Sequence, residues 1–262
     1  MEYKFFEITK DGKVCLVKFN NASKMNALNW HFWEELPLLV DEIENDKEVT
    51  VTVFYSDAKD FSIGLDIFDF GEKFQDLIFS NDKEKLYETI KVMQKGMDKI
   101  EQGKKVYISA INGYCIGGAL DFIAACDLRF CSEDAIFSLR ETKLGIVADM
   151  GSLQRLPFII GFGNLKYLAF TGKDFNARKA YDISLINEIF EKEKLFDETL
   201  KIAKEIADNP YETVAGCKYI INNIIKDDIA KSLEDVAMFN KENLNFMKVI
   251  SRFTENRKGG RK

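Results

Sequence analysis

The chain has 262 residues, 46% of them hydrophobic, with 37 Lys and Arg against 43 Asp and Glu for a net charge of −6. That is enough apolar matter for one large domain, or one domain with a small appendage. The acidic balance excludes an electrostatic affinity for nucleic acid or an anionic membrane.

Residues 4–19 alternate and turn at Asp11-Gly12, predicting a β-hairpin. Asn29 to Asp46 reads as a helix kinked at Pro37. His31, the only histidine, falls at its start and is expected at the surface or an interface. A multi-histidine metal site is therefore excluded, and a Ser-His-Asp triad would have to be built around that one residue. Val49 to Phe54 reads as a strand. After it, Gly64 in Phe61-Ser62-Ile63-Gly64-Leu65-Asp66-Ile67 lets the backbone approach a ligand closely, or marks an ordinary turn with Asp66 near a helix N-terminus. Residues 83–102 read as a helix and Val106 to Ile111 as a short strand.

A helix is expected after Gly117-Gly118. Paired glycines opening an apolar helix expose unpaired N–H groups, which with the helix dipole favour a negative oxygen. Tight helix packing is the competing explanation. G-x-G-x-x-G is absent, so this is no dinucleotide fingerprint. Asp127 to Cys131 and Ala135 to Leu139 read as strands, and Gly163 to Thr171 as a helix ended by Gly172. Glu141 and Asp149 lie eight residues apart in a small, apolar stretch. An apolar setting lifts a carboxyl pKa toward neutrality, as acid/base catalysis requires. The competing readings make Asp149 a cap for a helix beginning near Gly151 and Glu141 a solvated loop acid.

From about residue 193 strand signals vanish, and three amphipathic helices are predicted near 193–208, 211–225 and 228–249. Short strands alternating with helices argue for an α/β body over 1–192. The helical region 193–262 reads as an appendage that packs on something else, such as a neighbouring subunit. The last six residues carry four positive charges and read as a frayed, solvated tail. Five cysteines without a C-x-x-C pair suit a reducing compartment. With no apolar run long enough for a bilayer, and no secretory, transit or Ser-Lys-Leu signal, the cytosol is the expected location.

Taken together, these segments resemble the crotonase (enoyl-CoA hydratase/isomerase) superfamily over most of the chain. The resemblance begins at Lys24-Met25-Asn26-Ala27-Leu28, which is similar to the family's substrate-binding loop. It is most specific from Gly117 to Pro157. It implies a spiral of ββα units with a C-terminal helical region that drives trimer formation, often as a dimer of trimers. It also implies an acyl-CoA substrate, with the thioester oxygen held by the backbone N–H groups of Leu65 and Gly118. Lys24, Ala27, Leu28, Ser62, Ile63, Gly64 and Asp66 are the implied substrate-contact positions. Ala119 departs from the third glycine of many relatives, and Asn256-Arg257-Lys258 only loosely matches a phosphate-contacting lysine.

The family's hydratases carry glutamates at the positions of Asp121 and Glu141. Here the first is aspartate and a third acid stands at Asp149, a pattern similar to the Δ3,5-Δ2,4-dienoyl-CoA isomerase branch. The resemblance then implies Glu141 as base at C2, Asp149 as acid at C6 and Asp121 as the group that orients or tunes them. No metal or redox cofactor is called for, since coenzyme A is part of the substrate. Hydration of a 2-enoyl-CoA by Asp121 and Glu141 is the nearest alternative, and a non-catalytic acyl-CoA-binding protein the alternative from another class.

Overall fold

The computed structural model describes residues 2–75, 80, 82–224 and 226–259. The hairpin forms as read: β1 (Phe6–Asp11) and β2 (Val14–Phe19) pair antiparallel, and Gly12 supplies the positive φ of the turn. Helix α1 (Trp30–Asn45) starts where the side chain of Asn29 accepts the Phe32 N–H. It runs through Pro37 as one element. Its inward face of Phe32, Trp33, Leu36, Leu39, Val40 and Ile43 is buried, and that packing outweighs the roughly 3 kcal/mol a helical proline costs. His31 sits half-buried in its first turn.

Strand β3 (Val51–Tyr55) is followed by α2 (Ile67–Lys73) and α3 (Lys83–Gln102). Then come β4 (Val106–Ile111), β5 (Tyr114–Ile116) and α4 (Gly118–Ala125). Strands β6 (Leu128–Ser132) and β7 (Ile136–Ser138) precede α5 (Glu141–Leu144) and α6 (Ser152–Thr171). Helix α6 begins earlier than the sequence indicated, contains a non-helical Gly161, and ends at a left-handed Gly172. Strand β8 (Phe175–Asn176), α7 (Ala177–Asp182) and β9 (Glu188–Phe190) complete the body.

The main sheet has the order β1-β2-β3-β4-β6-β9, parallel from β2 onward, and β5-β7-β8 form a second, smaller sheet. Parallel neighbours need crossovers: α1, α3 and α4 supply the first three, and the segment carrying α5, α6 and α7 leads from β6 to β9. Between the sheet and these helices lies an aromatic cluster in which Phe122 of α4 meets Phe54 edge-on at 4.9 Å between centroids. Phe19 and Phe61 approach to 4.9 Å in the same cluster. Every residue of α4 is buried, so the glycine pair at its start is seated by core packing.

The tail forms four helices, not three: α8 (Leu195–Ala207), α9 (Tyr211–Asn223), α10 (Lys226–Asn243) and α11 (Phe246–Gly259). The predicted third helix divides at Asn245, whose side chain accepts the Lys248 N–H as a fresh N-cap. The tail folds back on its own chain. Leu195, Ala203 and Ala207 of α8 cover the second face of the main sheet beside Val51, Val53 and Ile108. Helix α10 lies against α3 and α6, where Gln154 Nε2 donates to the Ser232 carbonyl. Helix α11 extends to Gly259, into the stretch expected to fray; the side chains of Asn256, Arg257 and Lys258, and residues 260–262, lie outside the described residues. Among the described residues no helix is long and apolar enough to cross a membrane.

Candidate active site

The loop before α1 is held by short polar contacts. Asn26, fully buried with φ near +50°, donates from Nδ2 to Ser56 Oγ at 2.8 Å and to the Asp60 carbonyl at 3.0 Å. Ser62 Oγ donates to the Asn26 carbonyl at 2.7 Å and accepts the Gly64 N–H at 3.1 Å. Leu28 N–H donates to the Gly64 carbonyl at 2.8 Å, and Asp66 N–H to the Leu28 carbonyl at 3.1 Å. These bonds stitch buried Ala27 and Leu28 alongside Gly64-Leu65. Ile63 stays exposed. Lys24 pairs with Asp66 Oδ2 at 3.1 Å, while Asp66 Oδ1 caps α2 by accepting the Asp69 N–H. Of the loop candidates, Asp66 is therefore committed to structure, and Lys24 and Ile63 face solvent.

Gly64 has φ near +83°, and a Cβ placed on it would fall 2.4 Å from the Ile116 carbonyl oxygen and 3.2 Å from Gly118 N. Only glycine fits there. A Cβ on Gly118 would lie 3.7 Å from Leu65 N. The backbone amides of Leu65 and Gly118 are thus neighbours, and neither finds an acceptor among the described residues. Gly118 is also the first residue of α4, where the helix dipole adds partial positive charge. Gly117, with φ near +57°, turns the chain here by donating to the Ser138 carbonyl.

Beside this pair lie the three acids. Glu141 begins α5, and its Oε1 is 3.1 Å from where a Gly117 Cβ would be. Oε2 is enclosed and has no hydrogen-bond partner, although the residue as a whole is half-buried. Burial raises its pKa well above the ordinary value, with further upward pressure from Asp121 and Asp149. Asp121, 1% exposed, sits in the first turn of α4 and accepts the Ser152 N–H at 2.6 Å, so it is Asp121 that occupies the N-terminus of α6. Burial raises its pKa too, opposed by Ser152 and by the charge of Arg155. Asp149, 9% exposed, caps no helix; the residue preceding α6 is Gly151, without a side-chain cap. Burial pushes its carboxyl up to about 7, against the pull of a hydrogen bond from Asn240.

Sequence reasoning missed the residues that hold Asp149. Asn240 Nδ2 donates to Asp149 Oδ2 at 2.6 Å, and Gln94 Nε2 donates to the Asp149 carbonyl at 2.7 Å. They lie 91 and 55 residues away on α10 and α3, and no local pattern marks them. Arg155 Nη2 binds Asp98 at 2.7 Å and Glu101 at 3.0 Å, fixing the start of α6 against α3. A hollow of about 400 Å³ lies between α2, which begins two residues after Leu65, and α11. It is mostly apolar, with Ile67, Phe68, Gly71, Met247, Ile250 and Phe253 in its lining. No group of three or more His, Cys, Asp or Glu side chains is placed to hold a metal ion among the described residues.

A sheet-and-crossover body that sets two unpaired amides beside buried carboxylates, closed by a helical tail, defines a recognisable class. The enoyl-CoA hydratase/isomerase family model matches residues 9–260, and the chain belongs to that family. Among its relatives, the Delta(3,5)-Delta(2,4)-dienoyl-CoA isomerase, peroxisomal, of Arabidopsis thaliana is 36% identical over 91% of this chain and 88% of its own. A short-chain-enoyl-CoA hydratase of Clostridium acetobutylicum is 32% identical over 89% of this chain and 87% of its own. The crystal structure of an enoyl-CoA hydratase/isomerase from Mycobacterium paratuberculosis superposes with a TM-score of 0.86 at 21% identity, covering 96% of this chain and 98% of that one. That match establishes the fold.

Proposed function

We propose that the chain is an acyl-CoA isomerase that converts a 3,5-dienoyl-CoA to a 2,4-dienoyl-CoA. The observation that carries this reading is the third buried acid. Asp149 has its own support from Asn240 and Gln94, and a carboxyl held near pH 7 suits an acid/base group. In the proposed chemistry the Leu65 and Gly118 N–H groups receive the thioester oxygen. Glu141 takes a proton from C2, and the electron pair spreads over the thioester oxygen and the conjugated chain. Asp149 then delivers a proton to C6, leaving double bonds at 2 and 4. Glu141 ends protonated and Asp149 ionised, so a proton must pass back between them before the next turnover. Loss of one oxyanion donor typically costs about 3–4 kcal/mol.

Asp121, tied to Ser152, holds a negative field beside Glu141 and tunes its basicity. Buried Ala148 and Met150 limit water near Asp149. The hollow between α2 and α11 suits an apolar acyl tail. This chemistry calls for no metal or redox cofactor. The proposed assembly is a homotrimer or a dimer of trimers, in which exposed apolar side chains on α6 and α9 would be covered. Five free cysteines suit a reducing compartment, and the cytosol is the proposed location.

Similarity to the Clostridium acetobutylicum hydratase favours a second reading, in which Asp121 and Glu141 add water to a 2-enoyl-CoA. A mere acyl-CoA binder has no use for three desolvated acids, each of which costs stability. Purified protein should be assayed on matched 3,5-dienoyl-CoA and 2-enoyl-CoA. Preferred turnover of the diene supports isomerisation. Preferred hydration of the enoyl substrate replaces it, and binding without turnover of either overturns both.

A further inference from the structure

We propose that Asn240, on the tail helix α10, is a positioning residue that fixes which oxygen of Asp149 carries the transferable proton. The inference rests on the isomerase reading and extends it to a residue far from the family's motif segments.

Asn240 is 2% exposed, and its amide nitrogen has two partners: the Val147 carbonyl at 2.8 Å and Asp149 Oδ2 at 2.6 Å. A carbonyl oxygen can only accept, so the Val147 contact identifies the Asn240 atom facing this segment as nitrogen. Both its hydrogens are then used, and Oδ2 of Asp149 is held as an acceptor. When Asp149 is protonated, the proton must therefore sit on Oδ1. Gln94 secures the same residue through its carbonyl, so α10 and α3 grip Asp149 at two points.

The charges that bear on this carboxyl come from two sides. Asp121 on α4 pushes its pKa up, and the charge of Asp149 is felt in turn by Glu141 on α5. Arg155 on α6 is engaged by Asp98 and Glu101 of α3. That leaves Asn240 as the side-chain donor to the Asp149 carboxyl among the described residues. Its loss frees the proton to choose either oxygen and favours the neutral form. The tail thus completes the site: without α10 docked, Asp149 loses the side-chain donor that aims it.

The test compares wild type, Asn240→Leu and Asn240→Ser, the last being a smaller change should leucine impair folding. Circular dichroism and melting temperature establish that each is folded. The first readout is the titration of the Asp149 carboxyl by ¹³C NMR in the substrate-free protein, assigned with Asp149→Asn. It should move up by about one pH unit. The second is the pH profile on 3,5-dienoyl-CoA. The limb lost on raising the pH should move up likewise, with kcat down at least tenfold and KM within about threefold. A folded variant whose Asp149 titration stays in place, or whose kcat stays within twofold of wild type, overturns the role of Asn240. The titration needs no substrate, so it answers even if wild type fails to isomerise the diene, an outcome that would sink the isomerase reading separately.

Discussion

A carboxyl group withheld from water is most at ease carrying its proton, and Asp149 makes that preference measurable. Its pKa is about 7 folded against an ordinary 3.8, so between those values the native state binds the proton and the unfolded chain does not. Its contribution to stability is complete below about pH 4 and is lost as the pH rises through 7. Asp149→Asn removes the burden of a buried charge while keeping an oxygen for Asn240. The mutant should melt above wild type at pH 8, by roughly 2–4 °C for each kcal/mol regained, and the two should converge near pH 4; calorimetry across that range checks the sign. On 3,5-dienoyl-CoA the same mutant should lose about 100-fold or more in kcat, with KM little changed. Gly64→Ala tests the other half of the site. A methyl group 2.4 Å from the Ile116 oxygen must push the Leu65 amide away from Gly118. Steady-state kinetics should show kcat/KM down by about 100-fold or more, and unmoved kinetics in a folded mutant would remove Leu65 as a donor.

At the scale of elements, what the sequence made legible was whatever is encoded locally. The β1–β2 hairpin follows from alternation and Asp11-Gly12, and α4 from the glycine pair and its apolar run. The segment holding Glu141 and Asp149 was visible because its polar residues stand out among small and apolar ones. The break between α10 and α11 was also local, signalled by Asn245, but amphipathic spacing on either side masked it. The roles of Asp121 and Asp149 at α6 were not legible. Either acid has cap chemistry, and only the tertiary approach of α4 to Ser152 gives that task to Asp121. The same holds for Lys218, which a helical pattern leaves on an anonymous face. In the structure its Nζ is buried, donating to the Ile100 and Lys105 carbonyls at 2.9 Å each and to Asp127 at 2.8 Å, above the Tyr107 ring. Lys218→Met strands these acceptors and a largely buried carboxylate whose pKa desolvation already raises. Urea unfolding should show a loss of about 3 kcal/mol, with α9 the first element to lose hydrogen-exchange protection.

Among the described residues, α6 and α9 each leave apolar side chains uncovered. On α6, Phe158, Phe162 and Phe170 are exposed, and Ile220 and Ile221 on α9, with Ile224 at its C-cap, are at least 63% exposed. Such surfaces on a monomer mark contact sites, and the proposed trimer would cover them. Ile221→Glu should give monomer at micromolar concentration where wild type scatters light as a multiple of three subunits. A monomeric wild type would defeat the assembly proposal and leave the chemistry untouched. Cys217 extends this argument. It is the exposed thiol, while Cys15, Cys115, Cys126 and Cys131 are buried. It stands three, four and seven residues before Ile220, Ile221 and Ile224, hence on their stripe of α9. A thiol reagent therefore reads two events on separate clocks. Cys217 should label quickly in dilute protein and slowly in concentrated protein, at the pace of subunit dissociation. The other four should wait for the chain to open, so one time course would separate assembly from unfolding without an added probe.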